Sequence, residues 1–155
     1  MKLKLSYFVI PAIVILVALM GSFFTSAGMD WYQTSLIRPE LTPPDWAFPI
    51  AWNIIFLLAI ISAILGYNRS RGQNSSLAVF LFIFSAILNV LWTLLFFKLQ
   101  LISVALIEII ILEIVNLALI VHLYKISRLS SFLLWPYGLW VGFATYLNYL
   151  IVILN

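Results

Sequence analysis

Apolar residues occupy most of this chain in five long runs, each separated from the next by a polar segment. The runs cover residues 5–27, 48–67, 77–97, 101–124 and 132–154. A bilayer core of about 30 Å needs roughly 20 apolar residues per helix, and the runs lack the alternation of half-buried strands. Backbone in lipid must satisfy its own hydrogen bonds. The pattern therefore predicts an all-α integral membrane protein, with residues 1–155 forming a single bundle of five transmembrane helices.

The first run has two interpretations. Residues 1–28 have the basic start and small-residue end of a secretory signal. Their apolar part is about 20 residues long, however, whereas a signal core has about 7–15. This length favours a retained helix, with a signal segment as the alternative. Pro11 falls within the first two turns of that helix, where a missing N–H is tolerated best.

The composition excludes an ordinary soluble domain. The chain is 65% hydrophobic and 8% charged, against about 45–50% and 25% for soluble proteins. It has no cysteine and one histidine, His122, which argues against disulfides and against a metal site. There is also no phosphate-binding glycine loop and no Ser–His–Asp set, so conventional hydrolysis and phosphoryl transfer lack support. We expect no obligatory cofactor and no nucleic-acid partner.

The charged connections predict an orientation. In an alternating topology, one side of the membrane carries only basic residues, and the other carries Arg38 and Lys98 together with three acids. The residues of the basic side are Lys2, Lys4, Arg69, Arg71, Lys125 and Arg128. The positive-inside rule then places the N-terminus in the cytoplasm, and the first loop and Asn155 outside. We expect the membrane to be a bacterial plasma membrane.

The connection at residues 28–47 is the only long one, and its composition predicts an ordered loop. Pro39, Pro43 and Pro44 restrict the backbone, while Trp31 and Trp46 can pack onto the helices below. We expect this segment to cap the outer end of the bundle.

Polar and aromatic side chains within the spans indicate a cavity beneath that cap. Helices two, three and five each place several of them on one face, at helical spacing. These residues are Trp52 and Phe56; Asn89, Trp92 and Phe96; and Tyr137, Trp140, Ala144 and Asn148, with Phe143 nearby. Together they can line a flat apolar pocket with a few polar groups. The alternative is ordinary packing, since aromatic residues gather at membrane interfaces and asparagines hydrogen-bond between helices.

Two intramembrane acids and a group of small residues have structural or functional interpretations. Glu108 and Glu113 are about 140° apart around a helix, so they do not share a face. We expect at least one to be protonated or hydrogen-bonded to a neighbouring helix, and we favour a structural role over proton transfer. In helix one, Ser22 and Ser26 fit a small-xxx-small pattern, typical of close helix packing, and predict a homodimer.

Three separated motifs resemble those of the translocator-protein family (TspO/MBR, formerly peripheral benzodiazepine receptors). The first is WYQTSLIRPELTPPDWAFPIAW, with Trp31, Tyr32, Arg38-Pro39, Pro43-Pro44, Trp46 and Trp52. The second is AILNVLWTLLFF, with Asn89, Trp92, Phe96 and Phe97. The third is PYGLWVGFATYLNY, which begins at Pro136 and ends at Tyr149. An acidic residue early in helix four is matched by Glu108, and the resemblance covers nearly the whole chain.

The resemblance implies a five-helix protein, usually dimeric, with a pocket beneath the first loop. It implies protoporphyrin IX or a related tetrapyrrole as ligand, and synthetic benzodiazepine-site drugs as further ligands. The implied pocket residues are Trp31, Tyr32, Trp52, Phe56, Asn89, Trp92, Trp140 and Phe143. Some bacterial members are implied to degrade porphyrin in light, and Trp52 and Trp140 match the tryptophans concerned.

One departure from the family pattern concerns sterols. The family's cholesterol motif places a basic residue after the tyrosine of helix five, but Tyr149 is followed by LIVILN. Sterol binding at that position is therefore not expected. The leading hypothesis is a receptor or sensor-like protein that binds a tetrapyrrole in a capped pocket. Transport of porphyrin or another apolar metabolite and light-driven porphyrin breakdown are the alternatives.

Overall fold

The computed structural model of the chain describes residues 5–70 and 73–155 and contains five long helices. These are α1 (Ser6–Thr34), α2 (Ala47–Arg69), α3 (Gln73–Thr93), α4 (Ile102–Tyr124) and α5 (Arg128–Leu154). A π-helix at Leu94–Lys98 continues α3. All five helices are long and apolar enough to cross a membrane. Within the described residues there is no strand, so the predicted all-α membrane bundle is confirmed.

The helices form a closed ring in the order α1, α2, α5, α4, α3, and α1 also contacts the π-helix. We call the end with the 35–46 connection the cap end and the opposite end the far end. Helix α4 has the most extensive buried face. Helix α1 is the least embedded, since only Gly28 and Tyr32 are buried in it, both near the cap end.

Helix α1 ends at Thr34, about two turns later than residue 27, where its apolar run was predicted to stop. The Ser35 N–H still donates to the Trp31 carbonyl at 2.9 Å. A helix is ended by a backbone constraint rather than by a fall in hydropathy, and the first proline after this stretch is Pro39. Trp31 and Tyr32 therefore belong to α1, and the cap loop is shorter than the sequence indicated.

Helix α5 begins at Arg128 rather than at residue 132, because Ser127 is its N-cap. The Ser127 side chain accepts a hydrogen bond from the Ser130 N–H at 3.3 Å, as helix N-caps commonly do. The remaining boundaries lie within a few residues of those predicted.

Serines fasten the helices to one another at the far end. The Ser62 hydroxyl donates to the Ser130 carbonyl at 2.7 Å, and the Ser130 hydroxyl donates to the Ser62 carbonyl at 2.6 Å. The Ser131 hydroxyl donates to the Ile120 carbonyl at 2.8 Å. Hydrogen bonds of this kind hold transmembrane helices together where lipid offers no competing water. These hydrogen bonds connect α5 to α2 and to α4.

The basic residues Arg69, Lys125 and Arg128 lie at the far end, as predicted from their positions in the chain. Lys2, Lys4 and Arg71 of the same predicted group lie outside the described residues. The side of the membrane that the far end faces stays a prediction.

The cap loop is held by specific contacts. Asn155, at the end of α5, accepts from the Ile37 N–H at 2.9 Å and donates to the Ile37 carbonyl at 3.0 Å. Arg38 forms an ion pair with Asp45 at 3.1 Å, and Gln33 donates to the same carboxylate at 3.0 Å. These contacts order the loop.

The predicted cap residues differ in how far they are buried. Pro39 is buried, Pro43 is half-buried and Pro44 is exposed. Trp46 does not pack onto the helices below, since it is 67% exposed. Its exposure fits the interfacial position that tryptophans favour in membrane proteins.

Candidate functional site

One group of aromatic rings joins α1 to the cap end of α3. The Tyr32 ring lies 5.5 Å from Phe97, and the Trp31 ring meets Phe96 edge-on at 6.0 Å. The Trp92 ring stacks on Phe96 at 5.1 Å. Phe96 and Phe97 are both buried, although they are neighbours in sequence. The π-helix widens the turn at this point. The rings of Phe96 and Phe97 therefore both contact Tyr32 and Trp92.

Gly28 lets the two backbones approach at this junction. A Cβ at Gly28 would overlap the carbonyl oxygen of Phe97, so any side chain here requires a backbone shift. A glycine that permits close helix contact is a common device in membranes. The cap-end third of α1 is therefore pressed against the π-helix.

A second group of rings joins α2 to α5. The Trp52 ring stacks on Phe56 at 5.4 Å with an interplanar angle of 29°, and it meets Tyr137 edge-on at 6.2 Å. Trp140 contacts Phe48 at 5.8 Å and Phe143 at 6.0 Å. All of these rings are half-buried rather than buried. We call this accessible aromatic surface between α2 and α5 the aromatic ledge.

Four polar side chains form a hydrogen-bonded chain at mid-bundle. The Asn89 amide donates to the Tyr137 hydroxyl at 3.1 Å, and the Ser85 hydroxyl donates to Asn116 Oδ1 at 2.6 Å. The Ser85 and Tyr137 hydroxyls lie 3.3 Å apart. Ser85 is the donor in that pair as well, so its single proton is shared between the Tyr137 oxygen and Asn116 Oδ1. The order Asn89, Tyr137, Ser85, Asn116 links α3, α4 and α5.

Asn148 has a structural role. It is 1% exposed, accepts from the Trp92 indole N–H at 3.2 Å and donates to the Ile102 carbonyl at 3.0 Å. For Asn148 the packing interpretation is therefore the better one. Ala144 is likewise part of an apolar cluster with Val141 and Leu112.

A cavity of about 310 Å³ lies among α1, α2, α3 and α5, with Leu119 of α4 also in its lining. Its mid-bundle end is lined by Phe56, Ser85, Asn89 and Tyr137, and it runs along α1 from Val17 to Leu5. The cavity thus occupies the half of the bundle away from the cap, whereas the sequence predicted a pocket near the cap. The pocket near the cap stays a prediction.

The predicted pocket residues divide between these features. Phe56, Asn89 and Tyr137 line the cavity. Trp52, Trp140 and Phe143 belong to the aromatic ledge that leads to it. The others lie in the α1–α3 ring group or in the packing beside it, namely Trp31, Tyr32, Trp92, Phe96, Ala144 and Asn148.

The two intramembrane acids differ in how far they are buried. Glu108 is 6% exposed, and Glu113 is half-buried beside Gly138 and Gly142 of α5. Both Glu108 oxygens and Glu113 Oε2 are buried without a hydrogen-bond partner among the described residues. The expected bond to a neighbouring helix is therefore not formed by Glu108, and protonation stays a prediction.

Sequence reasoning missed Ser85, the π-helix and the role of Asn155. Ser85 is a polar residue within an apolar span, which is itself a signal of an internal contact. The π-helix has no such signal in the sequence, because it depends on how α3 packs against α1. The Asn155 contact joins positions far apart in the chain.

Comparison with known proteins agrees with this architecture. The model of the TspO/MBR family matches residues 9–154. The tryptophan-rich protein TspO of Chlorobaculum tepidum is 36% identical over 137 residues, covering 87% of this chain and 86% of that protein. The protein of the same name from Archaeoglobus fulgidus is 34% identical over 142 residues, covering 92% of each. The translocator protein of Sus scrofa is 29% identical over 141 residues, 86% of this chain and 83% of its own length. With its five membrane-crossing helices, this chain belongs to the TspO/MBR family.

Proposed function

We propose that this protein is a receptor or sensor-like membrane protein that binds a planar tetrapyrrole such as protoporphyrin IX. The observation that carries the proposal is the aromatic ledge beside the cavity. Trp52 stacks on Phe56 and touches Tyr137, and two of these three residues also line the cavity. A flat macrocycle gains dispersion and stacking energy on such half-buried rings.

Near the cap end, Lys98 offers a partner for an acidic substituent, whereas Arg38 is already paired with Asp45. Arg38 and Lys98 are both exposed there, and Lys98 lies 5.5 Å from the Phe24 ring. A propionate directed towards the cap then pairs with Lys98, while the macrocycle stays among the rings. Relatives carry the names translocator protein and tryptophan-rich sensory protein, which supports a role in sensing or moving a ligand at the membrane.

The test is a titration of the full chain in lipid nanodiscs with protoporphyrin IX, followed by the porphyrin absorbance. We expect the Trp52→Phe, Trp140→Phe double variant to weaken binding about fivefold or more, because each aromatic contact is worth about 0.5–1.5 kcal/mol. The matched control is Trp46→Phe with Trp135→Phe, two exposed tryptophans that are 67% and 46% accessible. A synthetic benzodiazepine-site drug is expected to compete with the porphyrin.

Absorbance is the better readout, because tryptophan fluorescence changes whenever a tryptophan is removed. Equal affinity of the two double variants would contradict the assignment of the ledge. Saturable binding that neither pair affects would place the porphyrin elsewhere on the protein.

A further inference from the structure

Three basic side chains gather around the start of α5 at the far end of the bundle. Arg128 is the first residue of α5, and Lys125 lies in the short connection before it. Arg69 of α2 reaches the same place, because its guanidinium donates to the Ser127 hydroxyl at 3.0 Å. All three basic side chains are exposed. This end of the molecule therefore carries a local excess of positive charge.

The acidic residues of the chain lie elsewhere. The sequence has five of them. Three lie near the cap end and two lie within α4, namely Asp30, Glu40, Asp45, Glu108 and Glu113. Among the described residues, the one ion pair joins Arg38 to Asp45 near the cap. An anion that pairs with the far-end cations must therefore come from outside the chain.

A groove of about 350 Å³ lies beside these cations, at the far ends of α4 and α5. Its lining combines a cation with aromatic and apolar side chains, namely Tyr124, Arg128, Leu129, Ser131, Phe132 and Trp135. Arg128, Phe132 and Trp135 are spaced i, i+4 and i+7, so they share one face of α5. Phe132 and Trp135 are 71% and 46% exposed. The groove therefore begins at a cation and continues for about 10 Å along α5 as exposed aromatic surface.

The Arg128 side chain is positioned with its hydrogen-bond donors available. Its guanidinium carbon lies 5.5 Å from the centre of the Tyr124 ring, which is a cation–π contact. Its N–H groups donate to no described residue. The planar fork of a guanidinium matches the two non-bridging oxygens of a phosphodiester. Arg128 thus offers a site for a phosphate group at the mouth of the groove.

We infer that this groove binds an anionic phospholipid, with its phosphate on Arg128 and an acyl chain along Phe132 and Trp135. Lys125 adds a second cation close to the headgroup. It favours a headgroup of net negative charge over a zwitterionic one, whose ammonium group it repels. A lipid fits better than free phosphate, because the groove continues from the cation as an apolar surface. The inference does not depend on tetrapyrrole binding, which concerns the aromatic ledge towards the cap.

The first experiment tests the headgroup. The full chain in detergent micelles is titrated with dioleoylphosphatidylglycerol or dioleoylphosphatidylcholine, and the affinity for the first bound lipid is measured by native mass spectrometry. We expect phosphatidylglycerol to bind more tightly, and its affinity to fall about fivefold in Arg128→Gln, the effect of one cation near an anionic headgroup. Lys125→Gln provides a second variant with the same expectation. Arg69→Gln is the matched control, since it removes the same charge at the same end but Arg69 does not line the groove.

The second experiment tests the acyl chain. Phe132→Ala is expected to weaken phosphatidylglycerol binding about two- to fivefold, because several dispersion contacts are lost. Phe80→Ala is the matched control, since Phe80 of α3 is 59% exposed and does not line the groove. An excess of inorganic phosphate is expected to leave the bound lipid in place.

Four results would overturn the inference. The first is equal affinity for the two lipids, and the second is equal weakening by Arg69→Gln and Arg128→Gln, which would indicate general attraction to a basic surface. The third is an equal effect of Phe132→Ala and Phe80→Ala. The fourth is displacement of the lipid by inorganic phosphate, which would make the site one for free phosphate. The porphyrin titration separates this inference from the proposed function, since Arg128→Gln is expected to leave porphyrin affinity intact.

Discussion

The contact between Gly28 and the π-helix gives the sharpest prediction about the fold. In Gly28→Ala the new methyl group meets the backbone carbonyl of Phe97, which has no rotamer by which to move away. Overpacking costs about 1–3 kcal/mol, and we take the upper value because the obstacle is main chain. Exchanging glycine for alanine inside a helix returns about 1 kcal/mol. The net loss of stability is then about 2 kcal/mol.

For a chain of about 150 residues, each kcal/mol shifts the melting temperature by about 2–4 °C. We therefore expect Gly28→Ala to melt about 4–8 °C below the parent protein, measured by circular dichroism in a mild detergent. Gly21→Ala is the control in the same helix. Its Cβ would meet Thr93 at an ordinary 3.9 Å, so we expect unchanged or slightly higher stability.

Equal melting temperatures of Gly28→Ala and Gly21→Ala would contradict this prediction. The two backbones would then not be in close contact, and α1 would not be anchored at the π-helix. The anchoring also predicts that Gly28→Ala loosens the cap-end rings around Tyr32. Near-ultraviolet circular dichroism of this variant should then fall at temperatures below its melting transition.

Two further predictions concern the cap and self-association. Asn155→Ala removes both hydrogen bonds to Ile37, worth about 0.5–1.5 kcal/mol each, and should speed amide exchange in the cap loop about 5- to 150-fold. Asn155→Asp, which keeps the acceptor, should have a smaller effect. Equal exchange in all three proteins would contradict the role of this contact. Ser22 and Ser26 are exposed on α1, so we expect leucine at both positions to weaken a homodimer measured by crosslinking in nanodiscs. Ser103→Leu, at another exposed position, is the control, and an unchanged dimer in the double variant would place the interface elsewhere.

The sequence predicted the helices because the bilayer imposes a length and a hydropathy on each of them. It predicted less well where helices end, since Thr34 and Arg128 are set by backbone constraints and by the Ser127 cap. Three uncharged polar residues of the spans have hydrogen-bond partners in other helices, whereas the Glu108 carboxylate has none among the described residues. Asn89, Tyr137 and Asn148 all form hydrogen bonds between helices, as their position in lipid requires.

What the sequence by itself determined is therefore the number of helices, the membrane as solvent, the ordered cap and the aromatic character of the interior. These follow from local composition and spacing. The tertiary structure decided where the cavity lies and which rings reach it. Gly28 meets Phe97 at the cap end of α1, and the far half of α1 lines the cavity. That choice depends on how two helices distant in sequence fit together, which periodicity along one helix does not specify.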